Sequence, residues 1–316
     1  MNTYSIRTTN LTRDFKTVRA VDNLTMEIPS GSVFGFLGPN GAGKTTTLRL
    51  LLGLLEPTKG QAEVLGYDTR TQAGYIRQNS GALLEHTGLY ERLSAYDNLQ
   101  FYGRVWHMSS SERMSRIEEL LNHLGLWKRR NEIVKTWSRG MKQKLAIART
   151  LLHRPALVFF DEPTAGLDPV AAASLREDIT NLAAQDGVTI FLTTHNMAEA
   201  EKLCHQVGII REGKLVAIGP LDQIRTQAGK QQVDIFGRGF TPQVLETLRK
   251  HPGIVNLEQR NQHVTIQHEA SMQIAPMVNL LVSGGVEIDE VRKSRASLEE
   301  TFLELVEDEE MLTLIS

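Results

Sequence analysis

A glycine-rich segment, GPNGAGKTTTLRLL at residues 38–51, places one lysine where a flexible loop meets a helix-forming run. The spacing G-x-x-x-x-G-K-[ST] of a phosphate-binding loop is satisfied by Gly38, Gly43, Lys44 and Thr45. Glycines allow backbone N–H groups to wrap phosphate oxygens, and the positive end of the helix points at the same oxygens. Lys44 would bind the β- and γ-phosphates, and the Thr45 hydroxyl would ligate Mg²⁺. We expect the other loop residues to contact the phosphates too, namely Pro39, Asn40, Gly41, Ala42 and Thr46.

Two carboxylates follow an apolar strand in the segment LVFFDEP at residues 157–163. Asp161 would hold Mg²⁺, and Glu162 beside it would polarise a water for in-line attack on the γ-phosphate. His195, at the end of VTIFLTTH, would bond the γ-phosphate and the attacking water. An acidic pair or a histidine at such a place is by itself more often structural. The phosphate-binding loop upstream favours the catalytic interpretation.

Alternating strand and helix patterns over the first two-thirds predict an α/β domain, residues 1–221, with a largely parallel sheet. The strands GSVFGFLG, ALVFFDEP and VTIFLTTH end in polar residues at their carboxyl ends, where open α/β sheets bind ligands. From about residue 89 to 135 the strand patterns give way to helical ones, which predicts a helical insertion. Ser94 and Asp97 are spaced as a capping box for its first helix.

The composition becomes polar and glutamine-rich after the first domain, which predicts a linker at residues 222–232. Residues 233–316 then follow the order strand, helix, strand, strand, helix, strand, which predicts a small α+β, ferredoxin-like domain. A terminal helix follows, in which Ser297 and Glu300 are spaced as a capping box. Its buried stripe would consist of Leu298, Phe302, Leu305 and Val306.

The totals for the 316-residue chain exclude several classes of protein. A net charge of −2 argues against a protein whose main partner is a polyanion. One cysteine rules out an internal disulfide framework and fits a reducing compartment. No secretion signal opens the chain, and the apolar runs fall far short of the roughly 20 residues of a membrane span. We therefore expect a cytoplasmic protein that reaches a membrane only through a partner.

The order of these motifs resembles that of the ATP-binding cassette (ABC) ATPases, over about residues 4–220. That family carries a signature, usually Leu-Ser-Gly-Gly-Gln, between the phosphate loop and the acidic strand. Here the five places read WSRGM, so that Ser138 and Gly140 match and the other three depart. The downstream segment DEPTAGLD also matches. The resemblance implies a P-loop NTPase fold with a helical insertion, and hydrolysis of ATP.

The resemblance also implies a head-to-tail pair of subunits that share each ATP. Ser138 and the helix amides behind it would donate to the γ-phosphate held by the opposite subunit. Gly140 would allow that close approach. Asp168 falls in the loop through which the family's subunits touch, and it would help to couple the two sites.

Two further positions are implied by the family pattern. Phe15 lies where an aromatic residue stacks on adenine, although such a residue could also belong to the core. Glu85 occupies the place of a glutamine that senses the γ-phosphate and Mg²⁺ and contacts the transport partner. An ionised glutamate cannot donate hydrogen bonds but can approach Mg²⁺ or its waters. The alternative for Glu85 is a solvated loop carboxylate.

The C-terminal domain and its closing SLEETFLELV resemble the tail of type-2 exporter ATPases, which drive efflux of drugs, lipids, polysaccharides or peptides. The resemblance implies an ATP-hydrolysing subunit, with ATP and Mg²⁺ as cofactors, at the cytoplasmic face of the membrane. Its partners would be a second copy of itself and a separate transmembrane permease, docked near Glu85 and the helical insertion. We expect no nucleic-acid partner.

Three alternatives remain at this point. The first is an importer ATPase whose C-terminal domain senses substrate and inhibits the motor. The second is a non-transport cassette protein acting on DNA or ribosomes, although such proteins commonly carry two cassettes or a long coiled coil. The third, a P-loop kinase or GTPase switch, gives the signature segment no role.

Overall fold

The computed structural model describes most of the chain, in the ranges 3–227, 230–269, 272–295 and 297–303. The chain divides into two compact units, Met1–Gly219 and Pro220–Ser316. Each unit has its own hydrophobic core. No helix among the described residues is long and apolar enough to cross a membrane.

The strands and helices of the described ranges are numbered along the chain. The strands are β1 Tyr4–Phe15, β2 Val18–Pro29, β3 Val33–Leu37, β4 Lys59–Val64, β5 Tyr67–Asp68, β6 Ser80–Leu83, β7 Leu157–Asp161, β8 Thr189–Thr194, β9 Gln206–Arg211, β10 Lys214–Pro220, β11 Lys230–Arg238, β12 Ile254–Arg260, β13 His263–Glu269 and β14 Glu287–Arg295. The helices are α1 Lys44–Leu51, α2 Ala73–Asn79, α3 Ala95–Val105, α4 Ser110–His123, α5 Arg139–Leu151, α6 Pro169–Asp186, α7 Met197–Leu203, α8 Leu221–Gln227, α9 Pro242–Arg249 and α10 Ile274–Ser283.

The main sheet of the first unit has the strand order β10-β9-β3-β8-β7-β6. β3 pairs in parallel with β8 and β9, and β7 pairs in parallel with β6 and β8. Every residue of β3, β7 and β8 is buried. A parallel sheet covered on both faces requires such continuous apolar runs. The predicted α/β fold is confirmed, and the carboxyl ends of β3, β8 and β7 are neighbours.

A second sheet in the first unit was not predicted from the sequence. It has the order β2-β1-β4-β5, and its strand pairs are antiparallel. The β1–β2 register shifts between Thr8 and Leu11 and again between Leu11 and Arg13. Such bulges interrupt the two-residue alternation by which a half-buried strand is predicted. Ile6 and Leu24 of this sheet belong to the same core cluster as Phe34 and Phe159 of the main sheet.

The predicted helical insertion contains α3 and α4. Asp97 N donates to Ser94 Oγ at 3.0 Å, and Ser94 Oγ donates to Asp97 Oδ2 at 2.7 Å, so both residues cap the start of α3. Ile117, Leu120 and Leu121 of α4 are fully buried. The apolar face of α4 is therefore buried.

The second unit contains a four-stranded antiparallel sheet with the order β12-β13-β11-β14. Together with α9 and α10 this is the predicted ferredoxin-like arrangement. Its core joins inward-facing residues of the sheet, such as Val233 and Ile266, with Leu248 of α9 and Leu281 of α10. The unit owes its stability to this cluster.

Two expectations for the second unit need comment. The interval 222–232, expected to be a linker, contains most of α8 and the start of β11, and Ile224 of α8 is fully buried. Within the described residues, positions 222–227 and 230–232 of this interval therefore belong to regular elements. The terminal capping box forms, because Glu300 N donates to Ser297 Oγ at 3.1 Å and Ser297 N donates to Glu300 Oε2 at 2.7 Å. Leu305 and Val306 of the predicted stripe lie outside the described residues.

His153 follows α5 and contacts both β6, at the edge of the main sheet, and Trp106 at the end of α3 in the insertion. Its ring lies 3.9 Å from the Trp106 ring, centroid to centroid, at an interplanar angle of 11°. His153 Nε2 lies 3.2 Å from Ser80 O, and Nδ1 is buried without a hydrogen-bond partner. Burial lowers the pKa of His153 to about 4; the charge of Arg149 acts in the same direction, and the Ser80 bond opposes it.

We predict that His153 makes the first unit acid-sensitive. An unfolded histidine binds a proton near pH 6.5, whereas folded His153 does so only near pH 4. The unfolded chain therefore gains protons first, and the free energy of unfolding falls as the pH drops from 6.5 to 4. His153→Gln should remove about 2 kcal/mol of that fall. Thermal unfolding across this range measures it, with exposed His86→Gln as control; equal pH slopes for His153→Gln and wild type would contradict the prediction.

Candidate nucleotide-binding site

The glycine loop connects β3 to α1, as the sequence predicts. Gly43 precedes α1 with a φ of 107°, a left-handed conformation that L side chains rarely adopt. A Cβ on Gly38 would overlap the carbonyl oxygen of Ile210. Only glycine fits at these two places, because Gly38 lies against β9 and a Cβ on Gly43 would overlap the carbonyl oxygen of Ala20 on β2. The conformation directs the amides ahead of α1 toward one point.

Lys44 lies along the loop and not in open solvent. Its Nζ donates to Gly38 O at 2.7 Å and to Pro39 O at 3.1 Å, and it lies 3.4 Å from Glu162 Oε1. Only 7% of the residue's surface is exposed. A buried ammonium held by carbonyl oxygens and one carboxylate is well placed to exchange these partners for phosphate oxygens.

Asp161 is fixed by two hydroxyl groups. Thr45 Oγ1 donates to Asp161 Oδ2 at 2.8 Å, and Thr193 Oγ1 donates to Asp161 Oδ1 at 2.5 Å. A hydroxyl and a carboxylate in contact are oxygen ligands of the kind that Mg²⁺ binds. Among the described residues, no group of three or more His, Cys, Asp or Glu side chains could hold a metal ion. Mg²⁺ at Thr45 and Asp161 would therefore take its other ligands from phosphate and water.

Glu162 adopts an unusual backbone conformation for a residue with a side chain, with a φ of 50°. Its N–H donates to Thr193 O at 3.1 Å, which fixes it against β8. Glu162 Oε2 lies 2.8 Å from His195 Nδ1. Glu162 Oε1 is buried and accepts no hydrogen bond, although Lys44 Nζ lies 3.4 Å away. Oε1 would become available to accept a hydrogen bond from water once Lys44 turned to phosphate oxygens.

These groups line one cavity of about 650 Å³. The predicted residues that line it are Asn40, Gly41, Gly43, Lys44, Thr45, Thr46, Glu85, Asp161 and Glu162. The predicted residues that do not line it are Phe15, Gly38, Pro39, Ala42, Ser138, Gly140, Asp168 and His195. Gly38, Pro39 and Ala42 belong to the backbone of the loop but do not line the cavity. His195 contacts Glu162, which does line it.

Phe15 and Glu85 have partners that the sequence did not reveal. The Phe15 ring is 39% exposed, and the Arg13 guanidinium lies over it at 4.5 Å. Its strand partner Val18 lines the cavity. Glu85 Oε1 lies 3.2 Å from Arg49 Nη2, so its carboxylate is paired with a cation on α1.

The signature residues lie at the start of α5. Met141 N donates to Ser138 Oγ at 3.3 Å, so Ser138 caps this helix. Asp168 caps α6 in the same manner, accepting from Ala171 N at 2.9 Å. Ser138 and Gly140 are absent from the cavity of their own chain. Both capping residues are exposed at helix starts, where a second molecule can reach them.

Several lining residues were missed by the sequence analysis. Arg139 and Gln143 of α5 line the cavity, as do Arg19 and Glu212. Arg139 and Gln143 lie one helical turn apart in the signature segment. This spacing places them on one face of α5 and could have indicated that they line the site. Arg19 and Glu212 carried no such signal, since the folding of the sheets brings each of them next to the loop.

We predict that Gly38→Ala weakens binding of a nucleoside triphosphate about tenfold or more, because the added methyl group must displace the loop from β9. Titration with a fluorescent nucleotide analogue measures the loss. Gly74→Ala is the matched control, since a Cβ there meets nothing within 4 Å. Unchanged affinity in Gly38→Ala would show that the loop position is not what binds the phosphates.

Comparisons with known proteins identify the family. A family model described as ABC transporter matches residues 21–165, and one described as the C-terminal domain of DrrA1-3-like ATP-binding proteins matches residues 219–306. The bacitracin transport ATP-binding protein BcrA of Bacillus licheniformis is 35% identical over 301 residues, 95% of this chain and 97% of that protein. The daunorubicin resistance ATP-binding protein DrrA3 of Streptomyces coeruleorubidus is 33% identical over 295 residues, 92% of each.

A solved structure of an ATP-binding cassette, a dimer in a post-hydrolysis state bound to ADP and Pi, matches with a TM-score of 0.62 and 25% identity. The match covers 68% of this chain and 98% of that one. The relatives match along nearly the whole chain, and the P-loop, the acidic pair and the signature segment occupy the places described above. The chain therefore belongs to the ABC transporter family, as an ATP-hydrolysing subunit with a DrrA-like C-terminal domain.

Proposed function

We propose that this chain drives a membrane exporter as a head-to-tail pair, in which each ATP is held by one subunit's P-loop and the other subunit's signature. One observation carries the proposal. Lys44, Asp161 and Glu162 meet in one cavity, whereas Ser138 and Gly140 lie outside it in the same chain. Arg139, between them, lines the cavity of its own chain, whereas Ser138 and Gly140 would contribute to the site of another subunit. The dimeric state of the solved relative supports this arrangement.

Hydrolysis would depend on Glu162 as the group that orients or activates water. Its Oε1 accepts no hydrogen bond, and its Oε2 is held by His195. His195 would keep the carboxylate in place and bond the γ-phosphate. Lys44 would move from its loop carbonyls to the β- and γ-phosphates, stabilising the charge that develops on transfer. Thr45 and Asp161 would hold Mg²⁺, which supplies positive charge to the same oxygens.

The signature would complete the site across the pair. Ser138 is exposed at the start of α5, where the helix N–H groups point outward and favour an anion. Gly140 lets α5 pack closely on α6 beside that helix end, since a Cβ there would lie 3.2 Å from Ala171 Cβ. Asp168 is exposed at the start of α6 and would meet the partner subunit, which would couple the two sites.

A separate transmembrane permease would dock on the insertion beside Glu85. Tyr90 and Phe101 are 47% and 41% exposed, with their ring centroids 4.9 Å apart. Leu93 and Val105 are also exposed, which gives an apolar patch of the kind that marks a protein interface. Docking there would hold the subunit at the cytoplasmic face of the membrane. Because two relatives are named for bacitracin transport and daunorubicin resistance, the proposed cargo is a drug or peptide.

Glu162→Gln tests the assignment of the base. The amide keeps the size of the side chain but cannot take up a proton, so turnover should fall at least a hundredfold while ATP binding persists. Steady-state hydrolysis and nucleotide titration on the same preparation separate the two effects. Exposed Glu63→Gln on β4 is the control. Normal hydrolysis by Glu162→Gln would show that another group activates the water.

A mixing experiment tests the shared site. Replacing both Ser138 and Gly140 with glutamine should abolish turnover, as should Lys44→Ala, each in a homogeneous pair. A mixture of the two variants should regain part of the wild-type turnover, because the mixed pair contains one complete site. Undiminished turnover by the Ser138→Gln/Gly140→Gln protein, or by a strictly monomeric preparation, would contradict a shared site.

A further inference from the structure

A buried carboxylate outside the cavity connects the two loops that carry Glu162 and His195. Glu199 lies in the first turn of α7, and only 2% of its surface is exposed. Its Oε1 accepts a hydrogen bond from Thr164 Oγ1 at 2.5 Å, and its Oε2 accepts one from Thr194 Oγ1 at 2.9 Å. One side chain therefore bridges two segments of the site that are about 30 positions apart in the sequence.

Each threonine is close in sequence to one of the two proposed catalytic residues. Thr164 is two residues after Glu162, and its carbonyl oxygen accepts from Leu167 N at 3.1 Å, within the loop that ends at Asp168. Thr194 directly precedes His195, and its hydroxyl also accepts from Asn196 N at 3.0 Å. The bridge therefore sets the spacing between the loop after β7 and the loop after β8.

The direct contact between Glu162 and His195 is less protected than this bridge. The His195 side chain is 54% exposed, so water competes for the 2.8 Å contact between the two side chains. Water does not compete with the buried bond from Thr194 to Glu199. A buried carboxylate is costly unless donors satisfy it, and here hydroxyl groups from the loop after β7 and from the end of β8 do so.

We propose that Glu199 is a positioning residue for ATP hydrolysis, which holds Thr164 and Thr194 so that Glu162 and His195 stay at the distance required to activate water. The proposal rests on the catalytic roles of Glu162 and His195 given above. The bonds that Lys44 and Thr45 make in the cavity do not involve Glu199. Its influence therefore falls on turnover and leaves nucleotide binding alone.

Thr164→Val is the decisive variant, because valine has nearly the shape of threonine and leaves the Thr194–Glu199 bond intact. We expect kcat to fall about tenfold, since misplacing a catalytic group by a fraction of an ångström has effects of this size. The Kd for ATP should stay within about twofold, and the Tm should fall by no more than about 10 °C, the cost of one buried hydrogen bond to a charged group. Thr180→Val is the matched control, since the Thr180 hydroxyl donates to Arg176 O on α6, away from the site.

Replacements of Glu199 itself show whether the hydrogen bonds carry the effect. In Glu199→Gln the amide oxygen still accepts from one threonine, and the amide nitrogen donates to the other once its hydroxyl turns. Glu199→Ala makes neither bond. We therefore expect kcat in the order wild type, Glu199→Gln, Glu199→Ala at unchanged Kd. If Glu199→Ala fails to fold, Thr164→Val decides the question.

Three results would overturn the proposal. One is wild-type kcat in Thr164→Val, and the second is a fall in kcat that is matched by loss of ATP binding or of Tm, which would indicate a structural role. The third is equal activity of folded Glu199→Gln and Glu199→Ala. The Glu162→Gln variant distinguishes failure of this proposal from failure of the proposed function. If that variant is inactive while Thr164→Val is fully active, the base assignment stands and the positioning role of Glu199 is wrong.

Discussion

The parallel register of β3, β8 and β7 is the constraint on which the site depends. Leu37 at the end of β3 pairs with Thr194 of β8, and Asp161 at the end of β7 pairs with Thr193 of β8. The glycine loop, the acidic pair and His195 therefore start from neighbouring points on one edge of the sheet. All three strands are buried on both faces. A shift in register would leave buried backbone groups unpaired and would separate the phosphate loop from Asp161.

Hydroxyl groups, and not cations, satisfy the buried carboxylates of this edge. Asp161 accepts from Thr45 and Thr193, and Glu199 accepts from Thr164 and Thr194. A buried carboxylate needs such donors, because leaving it unpaired away from water costs several kcal/mol. Using neutral hydroxyls leaves the positive charge of Lys44 for phosphate oxygens. The threonines thus allow acidic groups to be buried beside a site for a polyanion without cancelling its charge.

Two departures from the family's usual sequence have compensating partners in the structure. Glu85, which the resemblance puts in the place of a glutamine, has Arg49 3.2 Å from its carboxylate, and this cation offsets its negative charge. Arg139, which the resemblance puts in the place of the first signature glycine, has its guanidinium in the space that a Cβ on Gly166 would need. Gly166 has a φ of 70°, so the subunit-contact loop both turns there and accepts the arginine. Glu85 and Arg139 both line the cavity, so they set part of its charge.

The sequence by itself determined those features that depend on neighbouring residues. The spacing of Gly38 and Lys44 predicts the phosphate loop because the steric need for glycine and the position of the lysine are local. The buried strands, the capping residues Ser94 and Ser297, and the strand and helix order of the second unit follow from short-range patterns in the same way. The resemblance to a family supplied Ser138 and Asp168, whose roles are not visible in the isolated segments.

Only the tertiary structure decided which distant side chains meet. Thr193, Arg49 and Glu199 carried no local signal, since a threonine in a strand and a charged residue on a short helix are ordinary in sequence. The antiparallel sheet of the first unit was missed for a related reason, because bulges in β1 interrupt its alternation. Hydrogen bonds such as Thr164 to Glu199 join residues 35 positions apart. The tertiary fold sets those distances, and a pattern within a short window of sequence cannot reveal them.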